Sequence, residues 1–276
     1  MTDAPLRAIP DGFDAATLNE IDCRLSALEE TDQVRILLAV ESGSRAWGFP
    51  SPDSDYDCRF LFLRRRGDYL SPWPRRDVIE RPIEGVLDVS GWDLGKALKL
   101  LLKGNAVVVE WLTSPIVYRG DPELRAQLLE LARAFSNRTG LARHYLHLGE
   151  KQRRSYFADA KPVRLKKLFY ALRPAAALRW LRLHPSAAIA PMHFPTLMAQ
   201  CEPPAELAAL VEALIARKAE TRELGEAPLP EPIVRFVDEE FALARETLPV
   251  RSARLDPAAR AAAEMLFRRA VERHAP

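Results

Sequence analysis

The chain has 276 residues, 48% of them hydrophobic, and a formal net charge of +2, so it can build one large core or two modest ones and has no overall charge that selects a partner. Its apolar runs, such as residues 36–40, fall far short of the roughly 20 residues that cross a bilayer. Asp3, Arg7 and Asp11 around Pro5 and Pro10 replace the apolar segment of a secretory leader, so no membrane partner and a cytoplasmic location are expected. Cys23, Cys58 and Cys201 lack metal-ligand spacing and read as reduced core residues.

Asp14 is a plausible N-cap for an amphipathic helix over residues 14–30, in which Leu18, Ile21, Leu25 and Leu28 recur at helical spacing. Residues 34–40 are short, apolar and β-branched at both ends, which predicts a strand. Glu41-Ser42-Gly43-Ser44 then forms a small-residue break into a short helical turn. Pro50 and Pro52 make the following segment an exposed loop. A second strand starts near Asp57 with its body at residues 60–63, and a third covers residues 86–92.

From Leu94 the pattern turns helical, and the strands are expected to end by about residue 118. Later helices are predicted near residues 122–134, 138–158, 163–183, 204–222, 232–246 and 257–272. The expected organisation is α+β over residues 1–118, the catalytic part, followed by an all-α substrate- and nucleotide-binding part over residues 119–276. Charge is uneven along it: residues 143–182 carry eleven Lys/Arg against two acids, and residues 202–240 carry ten acids against four bases. A basic stretch of this kind predicts either a positive surface over a phosphate-bearing ligand or a solvated helix face.

The informative chemistry lies between residues 41 and 60, where a Gly-Ser turn after a strand precedes an Asp-x-Asp that enters the next strand. Such a turn exposes backbone N–H groups that favour phosphate. Gly43 lets the ligand approach the backbone, and the Ser44 hydroxyl can donate to a phosphate oxygen. Asp55 and Asp57, two apart on an extended segment, point to one face and offer hard oxygen ligands to magnesium. In-line nucleotidyl transfer commonly uses two metals roughly 3.5–4 Å apart, which calls for a third carboxylate. Asp88, within an apolar strand, supplies it. A Gly-Ser or an Asp-x-Asp alone is usually a turn or a solvated strand end; their combination in this order carries the assignment. Asp53 reads as a loop residue.

These residues resemble the polymerase-β-type nucleotidyltransferases, and within them the bacterial and viral family of RNA-repair-pathway DNA polymerase beta family proteins. The resemblance covers roughly residues 33–185. It is carried by Glu41-Ser-Gly-Ser-Arg-Ala-Trp-Gly-Phe, Ser54-Asp-Tyr-Asp-Cys-Arg, Asp88 with Lys96, Leu101-Leu-Lys-Gly-Asn-Ala106 leading to Glu110-Trp-Leu, and Lys166-Lys-Leu-Phe-Tyr-Ala-Leu-Arg-Pro174. Ala106 stands where a proline is common, and Gly95 and Ala97 are smaller than usual. The resemblance implies a mixed sheet flanked by helices and a helical substrate-binding region. It also implies an NTP substrate, Arg45 beside the Gly-Ser turn in nucleotide binding, and two Mg2+ ions at Asp55, Asp57 and Asp88, with Mn2+ able to substitute.

Lys166, Tyr170 and Arg173 share a helix flank at i, i+4 and i+7. In this reading Lys166 and Arg173 clamp the β- and γ-phosphates and Tyr170 contacts phosphate or base, while Lys167 points further round and Pro174 fixes a bend. The alternative is a solvated basic face. His144 and His147 are three apart but lack a third ligand, and read as packing or surface residues. The tryptophans read as core, with Trp47 beside the turn the one of interest. Asn105 and Glu110 read equally as helix caps and pairs or as supports of the site.

The expected reaction is transfer of a nucleoside monophosphate from an NTP, ATP first, to a hydroxyl, with release of pyrophosphate. An RNA end is the acceptor that the family association favours, with Arg64, Arg65, Arg66, Arg75 and Arg76 expected near the rim. The alternatives are a small molecule or protein side chain as acceptor, as in antibiotic modification or AMPylation, and a catalytically idle RNA-binding module. Three clustered carboxylates that repel phosphate speak against the last.

Overall fold

In the computed structural model, which describes residues 6–135, 137–157, 163–221, 224–249 and 255–276, a short strand β1 (Leu6–Ala8) precedes helix α1 (Ala15–Asp32). The Asp14 carboxylate accepts the Thr17 N–H at 2.7 Å and so satisfies a donor that every helix start leaves open. Then follow β2 (Val34–Ser42), α2 (Gly43–Ala46), β3 (Tyr56–Arg64), α3 (Arg66–Leu70), β4 (Val78–Glu80), β5 (Leu87–Asp93), α4 (Leu94–Leu102), α5 (Ala106–Thr113) and β6 (Val117–Gly120). These strands form one six-stranded sheet in the order β1-β6-β2-β3-β5-β4, antiparallel throughout except for the parallel pair β3 and β5.

Strand alternation divides the core. Tyr56, Cys58, Phe60 and Phe62 of β3 pack with Ile21, Leu25 and Leu28 of α1 on one face. Leu61 and Leu63 turn to the other face, into a larger core shared with the helices that follow. The period of two therefore puts Asp57 and Arg59 on the side of that larger core.

The rest of the chain is α6 (Pro122–Phe135), α7 (Arg138–Tyr156), β7 (Val163–Arg164), a 3-10 turn (Leu165–Lys167), α8 (Leu168–Leu183), α9 (Phe194–Gln200), α10 (Ala205–Glu220), β8 (Glu226–Ala227), α11 (Glu231–Thr247) and α12 (Pro257–His274). The fold is the mixed sheet flanked by helices, with a mostly helical C-terminal region, that the resemblance implies. The sheet strands do end near residue 118, with β6 at Gly120, but β7 pairs with β8 beyond them. None of β1, β4, β6, β7 and β8 is expected from periodicity, because each has four residues or fewer and is defined by its partner strand.

The segment expected as one helix over residues 163–183 is a strand, a 3-10 turn and then α8, and Pro174 lies inside α8 without ending it. Gly149 of α7 makes room there: a Cβ on it would come within 2.3 Å of Phe241 and 3.0 Å of Pro174. The basic and acidic segments meet in this bundle. Arg153 pairs with Asp238 at 2.9 Å, and Arg179 and Arg182 reach Glu240 at 2.9 and 2.8 Å. Part of the expected positive surface is thus neutralised from within the chain. Of the cysteines, Cys58 and Cys201 are buried as expected and Cys23 is exposed. No helix among the described residues is long and apolar enough to cross a membrane.

Candidate active site

Parallel pairing of β3 and β5 sets Asp57 directly opposite Asp88 at one end of the sheet. Their carboxylates converge on a single nitrogen: Arg59 Nη2 lies 2.9 Å from Asp57 Oδ1 and 2.6 Å from Asp88 Oδ2. Asp55, two residues before Asp57 and just outside β3, is exposed. Burial holds the Asp57 carboxyl above its ordinary range. Arg59 opposes that shift, and Asp88 and Asp55 add to it.

The oxygen donors suit Mg2+ or Mn2+, and the strand register brings two of the three expected ligands together. Among the described residues, however, no three His, Cys, Asp or Glu side chains converge on one point. A shared cation at Asp57 and Asp88 has to be accommodated beside Arg59.

The turn after β2 is built against these acids. Gly43 has φ of +70°, a conformation that L side chains rarely adopt, and a Cβ on it would lie 2.1 Å from Asp57 Oδ2. Behind the turn, Glu41 is fully buried. Its Oε1 accepts the Asp57 N–H at 2.9 Å, and its Oε2 accepts the Tyr118 hydroxyl. Burial pushes the Glu41 carboxyl up to about 8, even though both hydrogen bonds favour its ionised form.

Ser44 and Arg45 are part-buried at the turn, and both already have partners. Ser44 Oγ donates to Ser54 Oγ at 3.0 Å. Arg45 donates to the carbonyls of Ser54 at 2.6 Å and Asp55 at 3.2 Å, with its guanidinium 3.9 Å from the Tyr56 ring centre. Arg45 therefore anchors the loop that carries Asp55 rather than standing open toward a nucleotide.

The clamp expected on the helix flank divides. Tyr170 is 37% exposed, and its phenol is raised by burial first and then by the Asp57 carboxylate, with smaller contributions from Tyr156 and Asp55. Its phenol is therefore within electrostatic reach of the acids. Lys167, expected to point further round, places its ammonium 5.0 and 5.1 Å from the Tyr156 and Tyr170 ring centres. Lys166 is half-buried, and its charge acts on Lys218.

Arg173 departs from expectation. It is buried inside α8 and forms a two-pronged ion pair with Glu110 at 2.8 and 3.1 Å, under the Trp47 ring at 4.1 Å. Its place in the helix turns it into the core, so it is not positioned to meet phosphate. Glu110, which also accepts the Tyr145 hydroxyl at 3.3 Å, thereby ties α5, α7 and α8 together. Asn105 is the N-cap of α5. Trp47 bridges the turn to α8, packing edge-on to Tyr170 at 6.2 Å.

The arginines expected at the rim lie elsewhere. Arg64 is seven residues along β3 from Asp57, roughly 23 Å at strand rise, at the far end of the sheet. Arg65, Arg66, Arg75 and Arg76 belong to that same end; Trp73, in the same segment, is 81% exposed and so not core. A large hollow of about 1260 Å3, lined in part by Tyr69, Asp93, Leu98 and Phe267, is also remote from the acids, since Asp93 ends β5 five residues beyond Asp88.

Three further side chains matter to which the sequence reading gave no role. Arg59 was legible, because residue 59 shares a strand face with residue 57. Glu41 stands in the motif, but its support of Asp57 follows only from the pairing of β2 with β3. Lys218 of α10 has no sequence signal. It is buried, donates to the Phe49 carbonyl at 2.6 Å, and is pushed down to about 8 by burial, with Lys166 and Arg45 lowering it further and Asp53 opposing.

A family model for the RNA repair pathway DNA polymerase beta family matches residues 18–269. A Bacillus subtilis (strain 168) protein called "Uncharacterized protein YcgL" is 40% identical over 217 residues, which covers 79% of this chain and 82% of that protein. The family description points to polymerase-β-type nucleotidyl transfer in RNA repair. With that span matched and the mixed sheet presenting Asp57 and Asp88 side by side, the chain belongs to the RNA repair pathway DNA polymerase beta family.

Proposed function

We propose that the chain transfers a nucleoside monophosphate from an NTP, ATP first, to a hydroxyl at an RNA end and releases pyrophosphate. The observation that carries the reading is the register of Asp57 against Asp88 with the Gly43 turn packed on the Asp57 carboxylate. Asp55, Asp57 and Asp88 are the residues that would hold the divalent metal, Mg2+ or Mn2+. That metal supplies activation of the attacking hydroxyl and charge neutralisation on the triphosphate. Gly43 and Ser44 offer the phosphates a close backbone approach and a hydroxyl. Lys166, Lys167 and Tyr170, at the start of α8, face the nucleotide from the helical part of the chain. Arg45 and Glu41 hold the loop and the strand that present the acids. Residues 1–118, with the end of β6 at Gly120, make the catalytic part, and the rest of residues 119–276 the nucleotide- and substrate-binding part.

The test is incubation with each α-labelled NTP, Mg2+ or Mn2+, and separate pools of RNA, DNA and protein. Label entering RNA 3′ ends, lost in Asp57→Ala, supports the reading. Label entering protein or DNA alone, or no label in any pool, overturns the acceptor or the enzyme. Lys166→Ala and Lys167→Ala should raise the NTP requirement several-fold; unchanged requirements in both place the triphosphate elsewhere.

A further inference from the structure

Arg59 stands where the proposed cation site should be. Its Nη2 donates to one oxygen of each carboxylate, at 2.9 Å to Asp57 and 2.6 Å to Asp88. Its Nη1 donates to the backbone carbonyls of Asp88 at 2.8 Å and Cys58 at 3.1 Å. Four hydrogen bonds fix the guanidinium, and only 17% of the side chain is exposed. The other oxygen of Asp57 faces the Gly43 turn.

We infer that Arg59 is a resident counter-charge that makes divalent-cation binding at Asp57 and Asp88 conditional on the triphosphate. This rests on the nucleotidyl-transfer reading. One guanidinium offsets half the charge of the two carboxylates, and in a half-buried site it repels a divalent ion brought within a few ångströms. The backbone carbonyls keep it from swinging away. A triphosphate changes the balance, because its negative charge offsets Arg59 and its oxygens complete the coordination that Asp57 and Asp88 begin. Metal and NTP then bind cooperatively, and metal alone binds weakly. Arg59 is in this sense a positioning residue. It holds two carboxylates at matched register and prevents a cation from entering without its nucleotide.

The test is Mn2+ binding to the full chain, followed by the electron paramagnetic resonance of free Mn2+, with and without the non-hydrolysable analogue α,β-methylene-ATP, after subtracting the Mn2+ that the analogue alone takes up in protein-free titrations. In wild type the analogue should tighten Mn2+ binding at least about tenfold, within the usual range of coupling between sites. Arg59→Gln should bind Mn2+ alone several-fold more tightly than wild type and gain little from the analogue. Arg59→Lys keeps the charge and should retain most of the coupling. Folding of each variant is checked by circular dichroism. If Arg59→Gln fails to fold, the wild-type and Arg59→Lys titrations decide.

Equal Mn2+ affinity in wild type with and without the analogue, or a folded Arg59→Gln that binds Mn2+ no more tightly than wild type, overturns the inference and leaves the proposed function standing. No Mn2+ binding by wild type even with the analogue, indistinguishable from Asp57→Asn, overturns both.

Discussion

Two arginines of this chain hold carboxylates in opposite ways. Arg173 and Glu110 form a matched pair with one charge of each sign and two parallel hydrogen bonds, their side chains only 6% and 7% exposed. Arg59 serves two acids with one nitrogen, and Asp57 and Asp88 are 29% and 30% exposed. The first cluster is complete and dry, and it locks α5 to α8. The second has surplus negative charge at an accessible strand end, left for a metal that arrives with its nucleotide to neutralise. Charge balance and access, more than the presence of an arginine beside a carboxylate, separate a structural pair from a site prepared for chemistry.

The contrast is broken most directly at the unbalanced cluster. Asp57→Asn or Asp88→Asn should reduce nucleotidyl transfer more than about a thousandfold, a loss of roughly 4 kcal/mol in transition-state stabilisation. The melting temperature without metal should stay within about 2 °C of wild type, because each change relieves repulsion. Transfer at the wild-type rate in either variant would make these acids structural. The matched cluster should behave in reverse. Glu110→Gln leaves Arg173 buried without its counter-charge and should cost about 3–5 kcal/mol in urea unfolding. A loss below about 1 kcal/mol would put Arg173 in contact with water or another anion.

Glu41 is a third case, a buried carboxyl without an ion pair among the described residues. Its folded value of about 8 lies above the ordinary 4.5, so the folded state binds the extra proton between those limits. Its contribution to stability is fully present below about pH 4.5 and is lost as pH rises toward about 8. Unfolding titrations across that window should show wild type losing stability on the order of a few kcal/mol relative to Glu41→Gln. Parallel curves for the two proteins would mean that Glu41 stays ionised.

Gly43→Ala carries the smallest expected effect. Forcing a side chain into left-handed φ should cost about 1–2 kcal/mol of stability. The methyl also meets the Asp57 carboxylate, so transfer should fall further than stability alone explains. A variant with wild-type activity and stability would show that the turn relaxes freely.

By itself the sequence determined what depends on neighbours along the chain. Period-two alternation put Asp57, Arg59, Leu61 and Leu63 on one strand face, and the apolar spacing of Ile21, Leu25 and Leu28 built α1 behind Asp14. The Gly-Ser turn, the Asp-x-Asp and the strand around Asp88 were legible as local patterns for the same reason. Tertiary structure decided what depends on partners distant in sequence. α8 is buried on nearly every side, and the partner that its Arg173 meets there is Glu110, 63 residues away, which takes Arg173 from the nucleotide side. Likewise α10 carried Lys218 to the Phe49 carbonyl, 169 residues away. Local periodicity fixes the direction in which a side chain leaves its own element, whereas the charge or carbonyl it meets belongs to another element and depends on how the elements pack.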